Sequence, residues 1–148
     1  MMPRRRWLFA ALALSLVLVT GCKDRGGQVE DAGQVARQAA NRRLTGDWLL
    51  QSFQPSVALE PMLASLLQVQ FGRMTVTFDG QWMHATGAGV DTTRRYQVME
   101  ADRDRLGIRT WDDTGVTYDA YGEFRGNELW FEGRTTPWQG RGVLLRVR

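Results

Sequence analysis

The sequence predicts a mainly β protein, an eight-stranded antiparallel up-and-down barrel with one short helix, preceded by a signal peptide and a tether. From residue 44 onward, short β-type runs alternate with turn residues, and the dipeptides Asp79-Gly80 and Gly126-Asn127 predict type I′ hairpin turns. Apolar side chains alternate along some runs, as at Met74, Val76 and Phe78. Closing consecutive strands into a barrel removes the edges that an open sheet leaves exposed. A packed β-sandwich and a partly open barrel are the alternatives.

The first 21 residues have the organisation of a secretory signal peptide. Three arginines, Arg4 to Arg6, precede an apolar run from 7 to 19 that only Ser15 interrupts. A basic head followed by an apolar stretch of roughly 7–15 residues is typical of export signals. The run is shorter than the ~20 apolar residues that a membrane-spanning helix needs. We therefore expect residues 1–21 to be a signal peptide that is removed on export.

The signal ends in Val19-Thr20-Gly21-Cys22, and Cys22 is the only cysteine of the chain. This tetrapeptide resembles the lipobox of bacterial lipoproteins, in which the cysteine becomes the acylated N-terminus of the mature protein. The resemblance implies that lipid on Cys22, palmitate included, holds the protein permanently to a membrane. Lys23 rather than an aspartate follows, so the resemblance implies the outer membrane, with the protein facing the periplasm. The alternative is a plain secretory signal that leaves Cys22 as a free thiol.

Two segments outside the strands have helical character. Residues 22–43 are predicted to form a polar tether in which a short amphipathic helix can form, since apolar residues recur at helical spacing from Val29 to Ala40. Gly33 interrupts this segment, and its apolar face is small. A short helix is also predicted over 61–67, where Pro61 suits a first turn. This second helix is placed to plug or cover one end of a barrel.

The domain is predicted to span residues 44–148 and to contain eight strands. They cover residues 47–54, 68–78, 81–87, 92–100, 105–111, 115–125, 128–134 and 141–147. Gly72 breaks the alternation between Phe71 and Met74, which predicts a bulge or a sharp bend. A barrel of this size either fills with side chains or encloses one small ligand.

The start of the domain carries a recognisable motif, Leu44-Thr45-Gly46-Asp47-Trp48. It resembles the G-x-W entry motif of lipocalins and of small bacterial lipocalin-like domains. The resemblance implies that Gly46 permits a close backbone approach and that Trp48 closes one end of the barrel. It also implies an arginine from the last strand stacked on this ring, either Arg146 or Arg141.

The basic character of the chain comes from its N-terminal segments. The whole chain has 19 bases and 16 acids, but residues 1–21 hold three arginines and no acid, which leaves 19 − 3 = 16 bases against 16 acids. From residue 44 onward there are 11 bases and 13 acids. Binding of nucleic acid depends largely on positive charge, so we do not expect nucleic acid as a partner of this near-neutral domain. No second cysteine exists for a disulfide.

The sequence contains no combination of residues typical of an enzyme. His84 is the only histidine, so neither a zinc site nor a Cys/His pair can be built with it. The serines lack a G-x-S-x-G context. Asp112 and Asp113 form an adjacent pair of carboxylates, but they lie in a predicted hairpin turn, where aspartate is favoured locally. We therefore expect no catalytic residue, metal or cofactor.

Two functions remain from different classes. In the first, the barrel binds a small apolar or amphipathic ligand, and five aromatic residues are candidate ligand contacts: Trp82, Tyr96, Trp111, Tyr118 and Trp130. Four interspersed arginines favour an acidic, apolar ligand: Arg94, Arg95, Arg109 and Arg134. In the second, a filled barrel binds or inhibits another protein of the cell envelope through outward aromatic residues such as Trp138.

Overall fold

The computed structural model describes residues 25–87, 89–135 and 139–147, with side chains from residue 32 onward. The predicted signal peptide, Cys22 and Trp138 lie outside these residues. The elements are helices α1 (Arg25–Leu44) and α2 (Pro61–Gln70) and strands β1 (Gly46–Pro55), β2 (Thr75–Phe78), β3 (Trp82–Gly87), β4 (Val90–Asp102), β5 (Arg105–Trp111), β6 (Thr117–Arg125), β7 (Glu128–Gly133) and β8 (Gly140–Arg146).

The eight strands form a closed antiparallel barrel in sequence order, which confirms the predicted fold class. Each strand pairs with the next, and β8 returns to pair with β1 in a register that places Arg146 opposite Trp48. Closure leaves no free sheet edge among these strands. We call the end at which β1 begins the closed end, and the end at which α2 joins β1 to β2 the mouth.

Side chains alternate between the barrel interior and the outer surface, as strand geometry requires. Along β4, Tyr96 and Val98 are buried, whereas Arg95 and Gln97 are exposed. The buried core consists of Ala40, Leu44, Trp48, Leu50, Val76, Phe78, Ala85, Tyr96, Val98, Leu106, Ile108, Phe124, Leu129 and Leu144. Two of these residues belong to α1, so the helix is part of the core.

The segment between β1 and β2 differs from the prediction. The helix extends to Gln70 instead of ending at residue 67, so the predicted strand 68–78 is wrong over its first part and begins only at Thr75. Gly72, with φ of +70°, reverses the chain, and its N–H donates to the Leu50 carbonyl. The predicted sharp bend is therefore a turn between α2 and β2. The apolar side chains of α2 pack at the mouth of the barrel and do not join the sheet, so the helix continues to Gln70.

The turn after β2 also differs in type from the prediction. A type I′ hairpin needs positive φ at both central residues, but at Asp79-Gly80 only Gly80 has one, +107°. The Asp79 carboxylate instead accepts hydrogen bonds from the N–H groups of Gln81 and Trp82 at 2.9 and 2.7 Å. These bonds hold the pKa of Asp79 below its usual value. The Asp79 side chain therefore stabilises this turn, in which a second residue with positive φ is not needed.

Helix α1 is fastened to the closed end by hydrogen bonds. The Tyr96 hydroxyl donates to Asn41 Oδ1 at 2.7 Å and accepts from the Gly80 N–H at 3.1 Å. Asn41 Nδ2 donates to the Gly80 carbonyl at 3.1 Å. Leu44 and Ala40 are buried beside this network. The last turns of the segment predicted as a tether thus pack against the barrel.

Candidate binding cavity

A cavity of about 370 Å³ lies inside the barrel between the closed end and α2. Its walls are almost wholly apolar and include Leu50, Val76, Ile108, Leu129, Phe131 and Leu144. Binding pockets for small molecules begin at about 300 Å³ and are mostly apolar. The barrel interior is therefore not packed solid, and the space is suited to a small apolar molecule.

Helix α2 contributes one wall of the cavity at the mouth. Leu63, Leu66, Leu67 and Gln70 line the cavity. The opposite side of the helix faces outward, and Met62 is 82% exposed there. The helix therefore presents apolar side chains both to the cavity and to the outside. These lining residues were not among the sequence-predicted contacts, although the helix was expected to cover one end of a barrel.

Glycine allows α2 to approach the sheet. The Gln70 side chain, which is 2% exposed, lies against Gly87 of β3. A Cβ on Gly87 would collide with Gln70 Oε1 and would come within 3.0 Å of the Met74 backbone. A larger residue at position 87 would require the Gln70 side chain and the Met74 backbone to shift.

Residues with polar side chains also line the cavity near the mouth. Thr92 and Arg94 line the cavity from β4, and Thr110 and Tyr118 line it from β5 and β6. The guanidinium carbon of Arg94 lies 4.1 Å from the centre of the Tyr118 ring. This stacking holds the guanidinium beside the cavity through a cation–π contact. The mouth therefore combines the apolar side chains of α2 with a few polar residues, whereas the deeper walls are apolar.

An ion pair reinforces the outer surface beside this region. Arg109 donates to both carboxylate oxygens of Asp119 at 2.7 and 3.0 Å. The guanidinium of Arg109 holds the pKa of Asp119 below its usual value. The Asp119 N–H donates to the Thr135 hydroxyl, which joins β6 to the segment after β7. The Arg109 guanidinium is therefore already occupied by a carboxylate.

The three residues expected to close the barrel lie together at the closed end. Trp48 is 1% exposed and donates its indole N–H to the Leu44 carbonyl at 2.7 Å. The guanidinium carbon of Arg146 lies 4.6 Å from the centre of its ring. Gly46, with φ of +133°, turns the chain from α1 into β1. Arg141 lies elsewhere, on the outer surface, where it pairs with Glu132 at 3.4 Å.

The five candidate aromatic contacts are not brought together. Tyr118 lines the cavity, whereas Tyr96 is buried at the closed end in the network with Asn41. Trp82 and Trp130 are 36% and 43% exposed on the outside, and Trp111 lies opposite the outward Arg95 in the sheet. The sequence placed all five in strands, but strand parity separates them. Counting from Tyr96 along β4 toward the mouth in steps of two gives Arg94, which was among the candidate arginines, and Thr92, which was not.

The residues considered for acid–base or metal chemistry have structural contacts. His84 faces outward, where its Nδ1 and the Thr93 hydroxyl are 3.0 Å apart and its Nε2 lies 3.5 Å from Asp79. Asp112 accepts hydrogen bonds from Thr114 and from the Val116 N–H, as the predicted turn requires. Thr114 is the main cause of the lowered pKa of Asp112. In the described part of the chain, no three His, Cys, Asp or Glu side chains group as metal ligands would.

The outer surface of β6 and β7 carries exposed aromatic rings beneath arginines, and we call it the β6–β7 face. The guanidinium carbons of Arg134 and Arg125 lie 4.2 and 4.5 Å from the ring centres of Tyr121 and Trp130. Trp130 also donates its indole N–H to Glu128. Tyr121 and Trp130 also line a groove that continues onto β1 and β8. Such stacked rings are suited to contact with another molecule.

Comparison of the chain with protein-family models, with curated proteins and with solved structures found no match. Over the residues that the structure describes, neither helix is long and apolar enough to cross a membrane.

Proposed function

We propose that this chain is a lipid-anchored protein of the bacterial outer membrane that faces the periplasm and binds a small apolar or amphipathic ligand inside its barrel. The observation that carries the binding proposal is the apolar cavity of about 370 Å³. The anchoring part rests on the sequence of residues 1–22.

The composition of the cavity supports an amphipathic rather than a purely polar ligand. Burial of apolar ligand surface contributes about 25 cal/mol per Å², and the deep walls are lined by apolar side chains. Threonines and Arg94 then provide polar contacts at the mouth. The region is therefore matched to a molecule with an apolar tail and a polar end.

Filling the cavity tests this proposal. Ala120 lines the cavity from β6, and Ala120→Phe places a ring in the space. The matched control is Thr86→Phe, which adds the same ring at an exposed outer position of β3. Binding of a fluorescent acyl-chain probe is measured with the full chain in lipid nanodiscs, and empty nanodiscs give the background. We expect Ala120→Phe to weaken binding about tenfold or more, equal to about 1.4 kcal/mol, and Thr86→Phe to leave it unchanged. Equal binding by both variants would place the ligand outside the barrel.

The second candidate function is protein binding in the cell envelope through the β6–β7 face. The exposed rings of Tyr121 and Trp130 favour this function. The cavity of about 370 Å³ argues against the part of this hypothesis that requires a filled barrel. Cross-linking of envelopes with the wild type and with Trp130→Ala tests this candidate. A partner that is captured by both variants equally would contradict a role for this face.

A further inference from the structure

We propose that Arg94 selects ligands with an anionic head, a carboxylate or a phosphate monoester, whose single apolar chain occupies the cavity. This inference rests on the proposed binding function and names the class of ligand for that site. Three observations on Arg94 support the inference: its side chain points inward, it makes few polar contacts, and the nearby carboxylates are bound elsewhere.

The position of Arg94 is unusual for an arginine in this barrel. It lies two residues before the buried Tyr96 on β4, so its side chain points inward, and it lines the cavity. The neighbouring Arg95 points outward and is exposed, 5.6 Å above the Trp82 ring. A charged group seldom faces an apolar interior unless something compensates it.

The contacts of Arg94 leave its hydrogen-bond donors available. Arg109 and Arg125 each donate to a carboxylate on the outer surface. Arg94 stacks on Tyr118 instead, and no described residue accepts a hydrogen bond from it or forms an ion pair with it within 4.0 Å. A guanidinium has five N–H donors at its edge, and stacking on a ring uses its face. The edge can therefore receive a carboxylate or a phosphate in a bidentate geometry.

The carboxylates near this site do not take the place of such a ligand. The positive charge of Arg94 contributes to the lowered pKa of Asp112. The Oδ1 atom of Asp112, however, accepts hydrogen bonds from the N–H groups of Thr114 and Val116 in its own turn. Asp119 is bound by Arg109. Thr92 and Thr110, which line the same part of the cavity, offer hydroxyl donors to the oxygens of an anionic head. A neutral head would leave the guanidinium with water or with Tyr118 alone.

The experiment compares ligands that share a chain and differ in charge. Decanoate, decyl phosphate and decanol are titrated at pH 7 into the full chain in nanodiscs of a neutral lipid, with empty nanodiscs as the background. The variants are Arg94→Gln and Arg95→Gln, which remove the same charge from the inside and the outside of β4. Thermal unfolding confirms that both variants are folded.

We expect the wild type to prefer at least one of the two anions over decanol by about tenfold or more, as a charge-assisted hydrogen bond provides. Arg94→Gln should abolish this preference and retain binding of decanol, whereas Arg95→Gln should keep the preference. The two anions separate a carboxylate head from a phosphate head. Equal binding of all three ligands by the wild type would overturn the inference while the proposed function stands. If none of the three binds, both proposals fail.

A second measurement distinguishes direct contact from a structural role of Arg94. Decanoate labelled with ¹³C at its carboxyl group reports the pKa of the bound acid. Contact with a guanidinium lowers this pKa, because the charged form is favoured. We expect the bound pKa to rise in Arg94→Gln and to stay constant in Arg95→Gln. An unchanged pKa in Arg94→Gln would contradict contact between the head and Arg94.

Discussion

The Tyr96 hydroxyl is the best place to test how strongly α1 is joined to the barrel. Tyr96→Phe removes the donor to Asn41 and the acceptor of the Gly80 N–H but keeps the ring. The ring still packs edge-on against Phe78, with 5.1 Å between ring centres. The change in stability therefore reports hydrogen bonding, not the loss of apolar burial.

The magnitude follows from the two hydrogen bonds. A typical intramolecular bond contributes about 0.5–1.5 kcal/mol, and an unsatisfied buried partner costs about 1–3 kcal/mol. Asn41 and Gly80 are partly buried and keep their own bond to each other, so water can satisfy part of what is lost. We expect Tyr96→Phe to reduce the free energy of unfolding by about 1–3 kcal/mol. At roughly 4 °C per kcal/mol, the Tm should fall by about 4–12 °C.

The matched control is Tyr121→Phe, which removes a hydroxyl from an exposed ring on β6. Its ring remains beneath Arg134, and we expect a change within about 0.5 kcal/mol, as for most surface substitutions. Both variants are measured by urea unfolding of the full chain in nanodiscs, monitored by tryptophan fluorescence. Equal losses in the two variants would refute the argument that the closed-end network stabilises the fold.

The pH dependence of Tyr96→Phe provides an independent check. Burial raises the pKa of Tyr96 above its ordinary value of 10.0, because the charged phenolate loses hydration. The folded state therefore binds this proton more tightly than the unfolded state does. The resulting stability is complete below pH 10 and is lost as the pH rises through the higher folded-state pKa. The stability difference between wild type and Tyr96→Phe should accordingly narrow above pH 10, and a constant difference would contradict the raised pKa.

The remaining predictions concern the sheet and the N-terminus. A Cβ on the inward Gly142 would come within 2.5 Å of Phe131 Cζ and 2.7 Å of the Ser52 carbonyl. Gly142→Ala should therefore reduce the free energy of unfolding by about 1–3 kcal/mol through overpacking. Unchanged urea unfolding would show that the Phe131 ring can move away. Cys22→Ser should abolish acylation and release the protein from the membrane or stall its precursor, which mass spectrometry and cell fractionation measure. An unchanged membrane-bound mass would contradict a lipid on Cys22.

The barrel was predictable because each strand pairs with the strand that follows it in the sequence. Turn residues such as Asp79-Gly80 and alternating runs such as Met74 to Phe78 depend only on neighbouring residues. Hairpins then place each strand beside the next, so the topology follows with few alternatives. The outer and inner faces of a strand were harder to assign when both carry apolar groups.

Strand β8 illustrates the difficulty. Its apolar alternation at Val143, Leu145 and Val147 marks the face that is exposed or partly exposed, while Gly140 and Gly142 point inward. The inward glycines fit because large side chains from neighbouring strands, such as Phe131, fill the space beside them. Only the tertiary arrangement determines which side of β8 faces the interior, because the side chains that pack against its glycines belong to neighbouring strands. The cavity is a similar case, since it depends on which positions around the barrel are small at the same depth.

The two ends of the barrel differ in construction, and this difference bears on the proposed function. At the closed end, Trp48 contacts both Arg146 and Phe124, and the Tyr96 hydroxyl joins α1 to the barrel by donating to Asn41. At the mouth, α2 contributes apolar side chains to the cavity while Met62 remains exposed. Under the proposed lipid anchoring, the membrane attachment enters the domain through α1, at the end opposite the mouth. A ligand would then enter and leave past α2 while the closed end stays fixed. Substitutions in the closed-end network should therefore change stability, whereas those around Arg94 should change which ligand is bound.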